Sequence, residues 1–197
     1  MNKFYTVIYC VVWVFFRIFR PWRTKGRTDL PEGGVLMCGN HTSMSDPIYV
    51  LLAIGLKQKS RVMAKAELMK VPVLGWLLAK VGVFGIDRGK ADVQAIKTAM
   101  KILKNGERLL LFPEGTRVEE GREGEGHTGA AMLATRTGVP VVPIYIPRKK
   151  TWFKSITLVF GEPYVPVFEG KKPSPEDYER ISKELMDRIY GLKGQTE

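Results

Sequence analysis

Cysteine is scarce in this 197-residue chain: there are two, Cys10 and Cys38, each in an apolar run. They have no metal-ligand spacing and build no disulfide framework, so reduced thiols in a cytosol-facing protein are expected. Histidine is equally scarce, with His41 and His127 alone. A long apolar run is missing as well. The best candidate, Phe4 to Phe19 (FYTVIYCVVWVFFRIF), makes a helix roughly 24 Å long, short of the ~20 apolar residues of a comfortable span. A secretory signal is also a poor reading, because only Lys3 precedes that run and no small-x-small cleavage site follows it. Acidic residues are in deficit, 20 Asp+Glu against 31 Lys+Arg, which leaves a net charge of +11. Such a charge attracts a polyanion, whether nucleic acid, an anionic membrane surface or a phosphorylated substrate.

What is present is ordinary for a folded chain. A hydrophobic content of 45% and a charged content of 26% exclude disorder and a polytopic membrane protein. The length suits one domain with a core of its own. After the apolar run come Arg17, Arg20, Arg23, Lys25 and Arg27, with no acidic residue before Asp29, and Trp13 and Trp22 bracket the first arginine. Aromatic and basic residues in this order suit the headgroup level of an anionic phospholipid membrane. Residues 1–27 are therefore expected to form a membrane-associated N-terminal anchor dipped into one leaflet, with residues 28–197 as the α/β domain. That would place the protein at the cytoplasmic face of the cell membrane, monotopic or peripheral. The same run also fits a core helix or a short true span.

Beyond the anchor, short apolar runs alternate with helical patterns. Strands are expected at Val35–Cys38, Arg61–Ala64, Val83–Ile86, Arg108–Phe112, Val139–Ile146 and Ile156–Phe160. Helices are expected near Pro47–Ile54, Val73–Val81, Asp92–Lys104 and Gly129–Arg136, with Gly82, Gly106 and Gly138 closing three of them. Ser174-Pro175-Glu176-Asp177 opens a last helix whose apolar face is Tyr178, Ile181, Leu185 and Ile189. Together these predict a single α/β domain, with a mostly parallel central sheet flanked by helices and an N-terminal membrane-anchoring helix.

Polar clusters stand at the ends of three expected strands. Asn40-His41-Thr42-Ser43-Met44-Ser45-Asp46 follows the first, and Pro47 then opens a helix. On one continuous helix, His41 and Asp46 would lie about 140° apart. A strand–loop–helix turn can bring them together, so that the aspartate fixes the imidazole tautomer and leaves its other nitrogen as a base. His-x4-Asp alone also describes a helix cap beside a polar loop histidine. Phe84-Gly85-Ile86-Asp87-Arg88-Gly89 and Phe112-Pro113-Glu114-Gly115-Thr116-Arg117 end two further strands. In a parallel sheet such ends share a crevice, where Arg88 and Arg117 suit a phosphate through their guanidinium forks.

NHTSMSD (40–46), VFGIDRG (83–89), FPEGTR (112–117) and VVPIYI (141–146) resemble the four ordered blocks of the 1-acylglycerol-3-phosphate acyltransferase family. Lys65-Ala66-Glu67-Leu68 is similar to its Lys-x-Glu-Leu stretch, and Gly161-Glu162-Pro163 to its late Gly-x-Pro turn. The match covers residues 25 to 190. It implies that His41 is the catalytic base and Asp46 the residue that orients it. It further implies that Arg88, Gly115, Thr116 and Arg117 hold the acceptor phosphate, that Glu114 positions that arginine or the acceptor, and that Pro143 shapes the acyl-donor wall. The family also carries a hydrophobic N-terminal anchor. One departure stands out: His127-Thr128-Gly129-Ala130 replaces a Phe-Lys-x-Gly segment, which removes one cationic contact and puts the acceptor's identity in question. His127 itself reads as a solvated or helix-capping residue.

The reaction implied is transfer of a fatty acyl group from acyl-CoA or acyl-carrier protein to the sn-2 hydroxyl of lysophosphatidic acid, giving phosphatidic acid, with no metal and no cofactor. Backbone N–H groups at the start of the next helix are candidate oxyanion donors. Glycerol-3-phosphate or another lyso-lipid is the alternative acceptor. A nucleic-acid partner is not expected, because the basic residues are dispersed rather than interleaved with aromatics on one face. A non-catalytic basic protein of the membrane surface would account for the anchor and the charge, but not for His41 with Asp46. The basic residues Lys57, Lys59, Arg61, Arg148, Lys149, Lys150 and Lys154 read as a solvated face, with lipid contacts as their possible use.

Overall fold

Val35–Gly39 and Val141–Tyr145 are buried at every position, as strands covered on both faces must be. They lie side by side within a seven-stranded sheet. The structure, a computed structural model, describes residues 3–58, 60–87, 92–119, 121 and 124–196. Its elements in chain order are α1 (Lys3–Phe19), β1 (Trp22–Lys25), β2 (Val35–Gly39), α2 (Asp46–Ile54), β3 (Ser60–Lys65), α3 (Ala66–Lys70), α4 (Leu74–Lys80), β4 (Val83–Ile86), α5 (Val93–Lys104), β5 (Arg108–Leu111), α6 (Gly129–Thr137), β6 (Val141–Tyr145), β7 (Ile156–Phe160) and α7 (Pro175–Gly191).

The strand order is β1-β7-β6-β2-β5-β3-β4. β2 pairs in parallel with β5 and β6, and β3 with β4 and β5, so five strands point the same way. β7 runs antiparallel to β6, and β1 runs parallel to β7. The expected α/β domain with a mostly parallel sheet is therefore present. Alternate residues of β2 face opposite cores. Val35 and Met37 pack with Tyr49 and Val50 of α2 and Phe16 of α1, whereas Leu36 and Cys38 pack with Leu103 of α5, Leu133 of α6 and Leu185 of α7.

Local chemistry sets the ends of the elements. Gly138 closes α6 in the left-handed conformation (φ 67°) and returns its N–H to the Ala134 carbonyl, a conformation that suits glycine because it lacks Cβ. At the start of α7 the capping box is complete: the Asp177 N–H donates to Ser174 Oγ, and the Ser174 N–H donates to Asp177 Oδ2. β6 stops at Tyr145, short of the expected Val139–Ile146, because the Ile146 N–H and carbonyl are both taken by the Asn40 side chain.

The segment expected as an anchor is divided. Residues 3–19 form α1, and Trp22–Lys25 join the main sheet as edge strand β1, with Trp22 in the core. α1 lies against the domain: Phe16 is buried with its ring 5.0 Å from that of Tyr49, and Tyr9 donates to the Leu52 carbonyl. Val7, Val11, Val14 and Ile18 point outward and are exposed. Among the described residues, no helix is long and apolar enough to cross a membrane.

Candidate active site

The loop after β2 is clamped before it reaches His41. Asn40 is buried, with Nδ2 donating to the Ile146 carbonyl (2.9 Å) and Oδ1 accepting from the Ile146 N–H (2.7 Å), which ties the ends of β2 and β6 together. The His41 N–H donates to Glu114 Oε2 (2.6 Å), its carbonyl accepts from Val118, and its ring stacks on Phe112 with centroids 4.3 Å apart. The chain then turns so that Asp46, the first residue of α2, points back beneath the loop. Asp46 Oδ2 accepts from His41 Nδ1 (3.0 Å) and from the N–H groups of Thr42 and Ser43 (2.7 Å each). Those two loop amides are thus taken up by the aspartate.

Charge decides the tautomer. Burial alone would raise the Asp46 pKa, but the hydrogen bond from His41 and the Lys150 ammonium outweigh it and hold the carboxyl below the usual range. An ionised carboxylate only accepts, so Nδ1 carries the imidazole proton and Nε2 is left as the basic nitrogen. Lys150 Nζ lies 2.9 Å from Asp46 Oδ1 and 2.9 Å from Thr42 Oγ1, and its side chain is only 4% exposed. The solvated-face reading of Lys150 is therefore corrected: it belongs to the site. Burial also pushes the Glu114 carboxyl above its usual range, against the bonds from Tyr190 and His41 that favour the charged form.

A cavity of about 720 Å³ opens in front of this arrangement, with His41, Lys65, Thr116, Arg117 and Arg148 on its walls. Of the residues expected at the site, His41 and Asp46 are in contact, and Thr116 and Arg117 share the cavity with His41. Glu114 lies behind the histidine, holding its main chain on one side and the Tyr190 hydroxyl on the other. Gly115 has φ +69°, and a Cβ there would meet His127 at 2.6 Å, so both backbone and space require glycine. Pro143 stands apart, buried in β6 opposite Cys38, with its carbonyl accepting from Gly161. Arg88 lies outside the described residues. A second, largely apolar cavity of about 390 Å³ is lined by Met63, Ile86, Ile96, Leu111 and Leu133, and shares Phe112 and Thr116 with the first. Among the described residues, no group of three or more His, Cys, Asp or Glu side chains is placed to hold a metal ion.

Sequence reasoning missed Phe112, Lys150 and Tyr190 as parts of the site. Phe112 reads as the last residue of an apolar strand, and Lys150 as one member of a basic run. Tyr190 falls one position beyond the apolar period of α7. Their roles come from contacts between segments far apart in the chain, which no local pattern encodes.

A model of the acyltransferase family matches residues 22–147, which include β1, both members of the His41–Asp46 pair and Arg117. The chain belongs to the acyltransferase family. A 1-acyl-sn-glycerol-3-phosphate acyltransferase of Bacillus subtilis is 30% identical over 181 residues, 89% of either chain. A chloroplastic 1-acyl-sn-glycerol-3-phosphate acyltransferase of Brassica napus is 35% identical over 139 residues, 68% of this chain and 40% of that one. The chain spans about half the length, or less, of several such curated relatives. The solved structure of a 1-acyl-sn-glycerophosphate acyltransferase from Thermotoga maritima superposes with a TM-score of 0.67 at 24% identity, covering 97% of this chain and 80% of that one. That likeness shows a shared fold with this family member.

Proposed function

We propose that this chain is a 1-acylglycerol-3-phosphate O-acyltransferase, moving a fatty acyl group from acyl-CoA or acyl-carrier protein to the sn-2 hydroxyl of lysophosphatidic acid to give phosphatidic acid. The observation that carries the reading is His41 Nδ1 bonded at 3.0 Å to a buried Asp46, on the wall of a cavity shared with Arg117. The curated relatives named for this reaction support the choice of substrates.

In the mechanism, His41 Nε2 takes the proton from the acceptor hydroxyl as its oxygen attacks the thioester carbonyl. The tetrahedral intermediate collapses, the C–S bond breaks and the thiolate leaves, taking the proton back from the imidazolium. Asp46 stays ionised and holds the ring. Arg117, with Lys65 and Arg148 on the same walls and Arg88 expected from the sequence, binds the acceptor phosphate. The apolar cavity beyond Phe112 receives the acyl chain. Gly115 lets the loop turn, Glu114 fixes the histidine main chain, and Pro143 acts on the site only through β6. The steps draw on no cofactor.

α1 and its basic flank would dock the protein on an anionic membrane at its cytoplasmic face, sparing the amphiphilic acceptor and product a passage through water. The second reading concerns the acceptor, since His127 stands beside Gly115 in the segment where the family resemblance leads one to expect a lysine. Glycerol-3-phosphate or another lyso-lipid would then be acylated.

The test is transfer from a labelled acyl thioester to lysophosphatidic acid, with glycerol-3-phosphate and other lyso-lipids as parallel acceptors. Wild-type product that falls at least about 10²-fold in His41→Ala supports the reaction and the base together. Wild-type activity on another acceptor alone would replace the substrate. Turnover that survives His41→Ala would overturn the mechanism, and no turnover on any acceptor would favour a basic membrane-surface protein.

A further inference from the structure

A basic side chain buried beside a catalytic carboxylate calls for an explanation, because transferring an ammonium out of water is costly unless its charge is answered. Lys150 is such a group. It comes from the loop between β6 and β7, and its Nζ meets Asp46 Oδ1 at 2.9 Å on the oxygen that His41 does not use. Nζ also donates to Thr42 Oγ1, and the Arg148 carbonyl accepts from it at 3.5 Å. The loop is held from outside as well: the Phe153 N–H donates to the Phe19 carbonyl at the end of α1, and Arg20 lies 4.2 Å from the Trp152 ring. Lys150 is therefore held on the carboxylate, and its loop is anchored just beyond it at Trp152 and Phe153.

We infer that Lys150 is a positioning residue for the reaction: it answers the charge of Asp46, so that the carboxylate orients the His41 ring without drawing a proton onto it, and it pins the His41 loop through Thr42. The inference rests on His41 being the base. A buried carboxylate with no cation recruits one, and the nearest titratable group is the imidazole bonded to it. Protonated at rest, His41 could accept nothing from the acceptor hydroxyl. With the ammonium already on Oδ1, Asp46 orients the ring without charging it. Other ionisable groups face the pair from every side. Glu114 meets His41 at its main chain; Arg117 and Glu119, Lys65 at the end of β3, and Arg148 line the cavity that His41 opens on; Arg20 of the α1 end acts on Lys150. Among the described residues, Lys150 brings the full positive charge in direct contact with the carboxylate.

The chain's two histidines make the test clean. In a His127→Gln background His41 is the only imidazole, and its titration is read by NMR without any turnover. Lys150→Met should move the His41 titration, and with it the acid limb of kcat/KM, upward by about one pH unit or more, with Lys150→Arg moving both back. Lys149→Met removes the same charge from the neighbouring exposed position and should leave both where they were. An acid limb and a titration that Lys150→Met leaves in place would overturn the inference, even if kcat fell, because a purely structural role lowers the rate at every pH. If Lys150→Met does not fold, Lys150→Gln, which loses the charge but keeps a donor for Thr42, carries the same readout, and an acid limb it leaves in place overturns the inference. Failure of the base assignment shows separately, as turnover in His41→Ala.

Discussion

Asp46 does two kinds of work through one carboxylate. Its Oδ2 gathers the His41 ring and the Thr42 and Ser43 amides, while Oδ1 faces Lys150. Asp46→Asn keeps the shape but replaces an acceptor-only group with one that carries donors, so the imidazole tautomer is no longer fixed. We expect kcat to fall by about 10³-fold or more with KM little changed. The same substitution leaves the Lys150 ammonium buried without its counter-charge, at a cost of about 3 kcal/mol of stability at pH 7. The sign with pH follows from the folded-state pKa of Asp46 lying below its unfolded value. Its contribution is whole above the unfolded value of about 3.9 and is lost as pH falls through the folded one. Denaturant unfolding of wild type and Asp46→Asn should therefore give curves that converge as the solution is made acidic. A gap that stays constant down to strong acid would refute this account. His41 and Asp46 could be named from sequence because a short loop between a strand and a proline-opened helix brings them together. Lys150 could not: its contact with Asp46 joins segments about a hundred residues apart, and a lysine in a Lys-Lys pair reads as solvated.

α7 shows how an element far along the chain reaches the catalytic loop. Its capping box fixes where the helix starts, its face of Ile181, Leu185, Met186 and Ile189 is buried, and its last turn delivers the Tyr190 hydroxyl to Glu114. Glu114 in turn holds the His41 N–H, so the helix end bears on the base through two hydrogen bonds. Ser174→Ala removes one cap bond and should cost about 1 kcal/mol, with kcat unchanged once the protein is folded. Tyr190→Phe leaves a buried carboxylate short of one donor, at a cost of about 1–3 kcal/mol, and should also lower kcat by loosening the loop. Thermal unfolding with steady-state kinetics on both variants checks this. Equal kinetics in the two would mean that Tyr190 supports the helix and not the site. Elements with a clear period or cap were legible in the sequence: β4 and β7 fall where they were expected, and α7 begins at its serine. β1 and α3 were not, because WRTK buries one residue in four and α3 is only five residues long. Such short pieces are set by their neighbours, β1 by the ladder that β7 offers it.

At the scale of the whole molecule, strand order is what the sequence least discloses. Apolar runs announce strands, but β1 ends beside β7 and β2 between β5 and β6 through contacts that pair distant segments. One consequence is that α1 is bound to the domain by an inner face, while its outer face is left exposed among the described residues. Val7, Val11, Val14 and Ile18 recur at helical spacing and are each at least half exposed. At the two ends of the helix exposed aromatics extend the strip, Trp76 against Phe4, and Trp152 and Phe153 against Phe15 and Phe19. Apolar side chains left in water along one helix, on a chain of net charge +11, suit a surface that is apolar beneath an anionic layer. Each side chain that such a surface covers gains about 1.5–3 kcal/mol at full burial, and each nearby arginine or lysine about 1 kcal/mol. Partial burial of four positions still sums to several kcal/mol. Replacing Val7, Val11, Val14 and Ile18 together by glutamine, a good helix former, should lower partitioning onto anionic phospholipid vesicles by about 10²-fold and leave the circular dichroism unchanged, since Phe16 and Tyr9 on the inner face are untouched. Wild-type binding should also weaken on neutral vesicles and in high salt. Vesicle binding that the fourfold variant retains in full would show that α1 is not the docking surface.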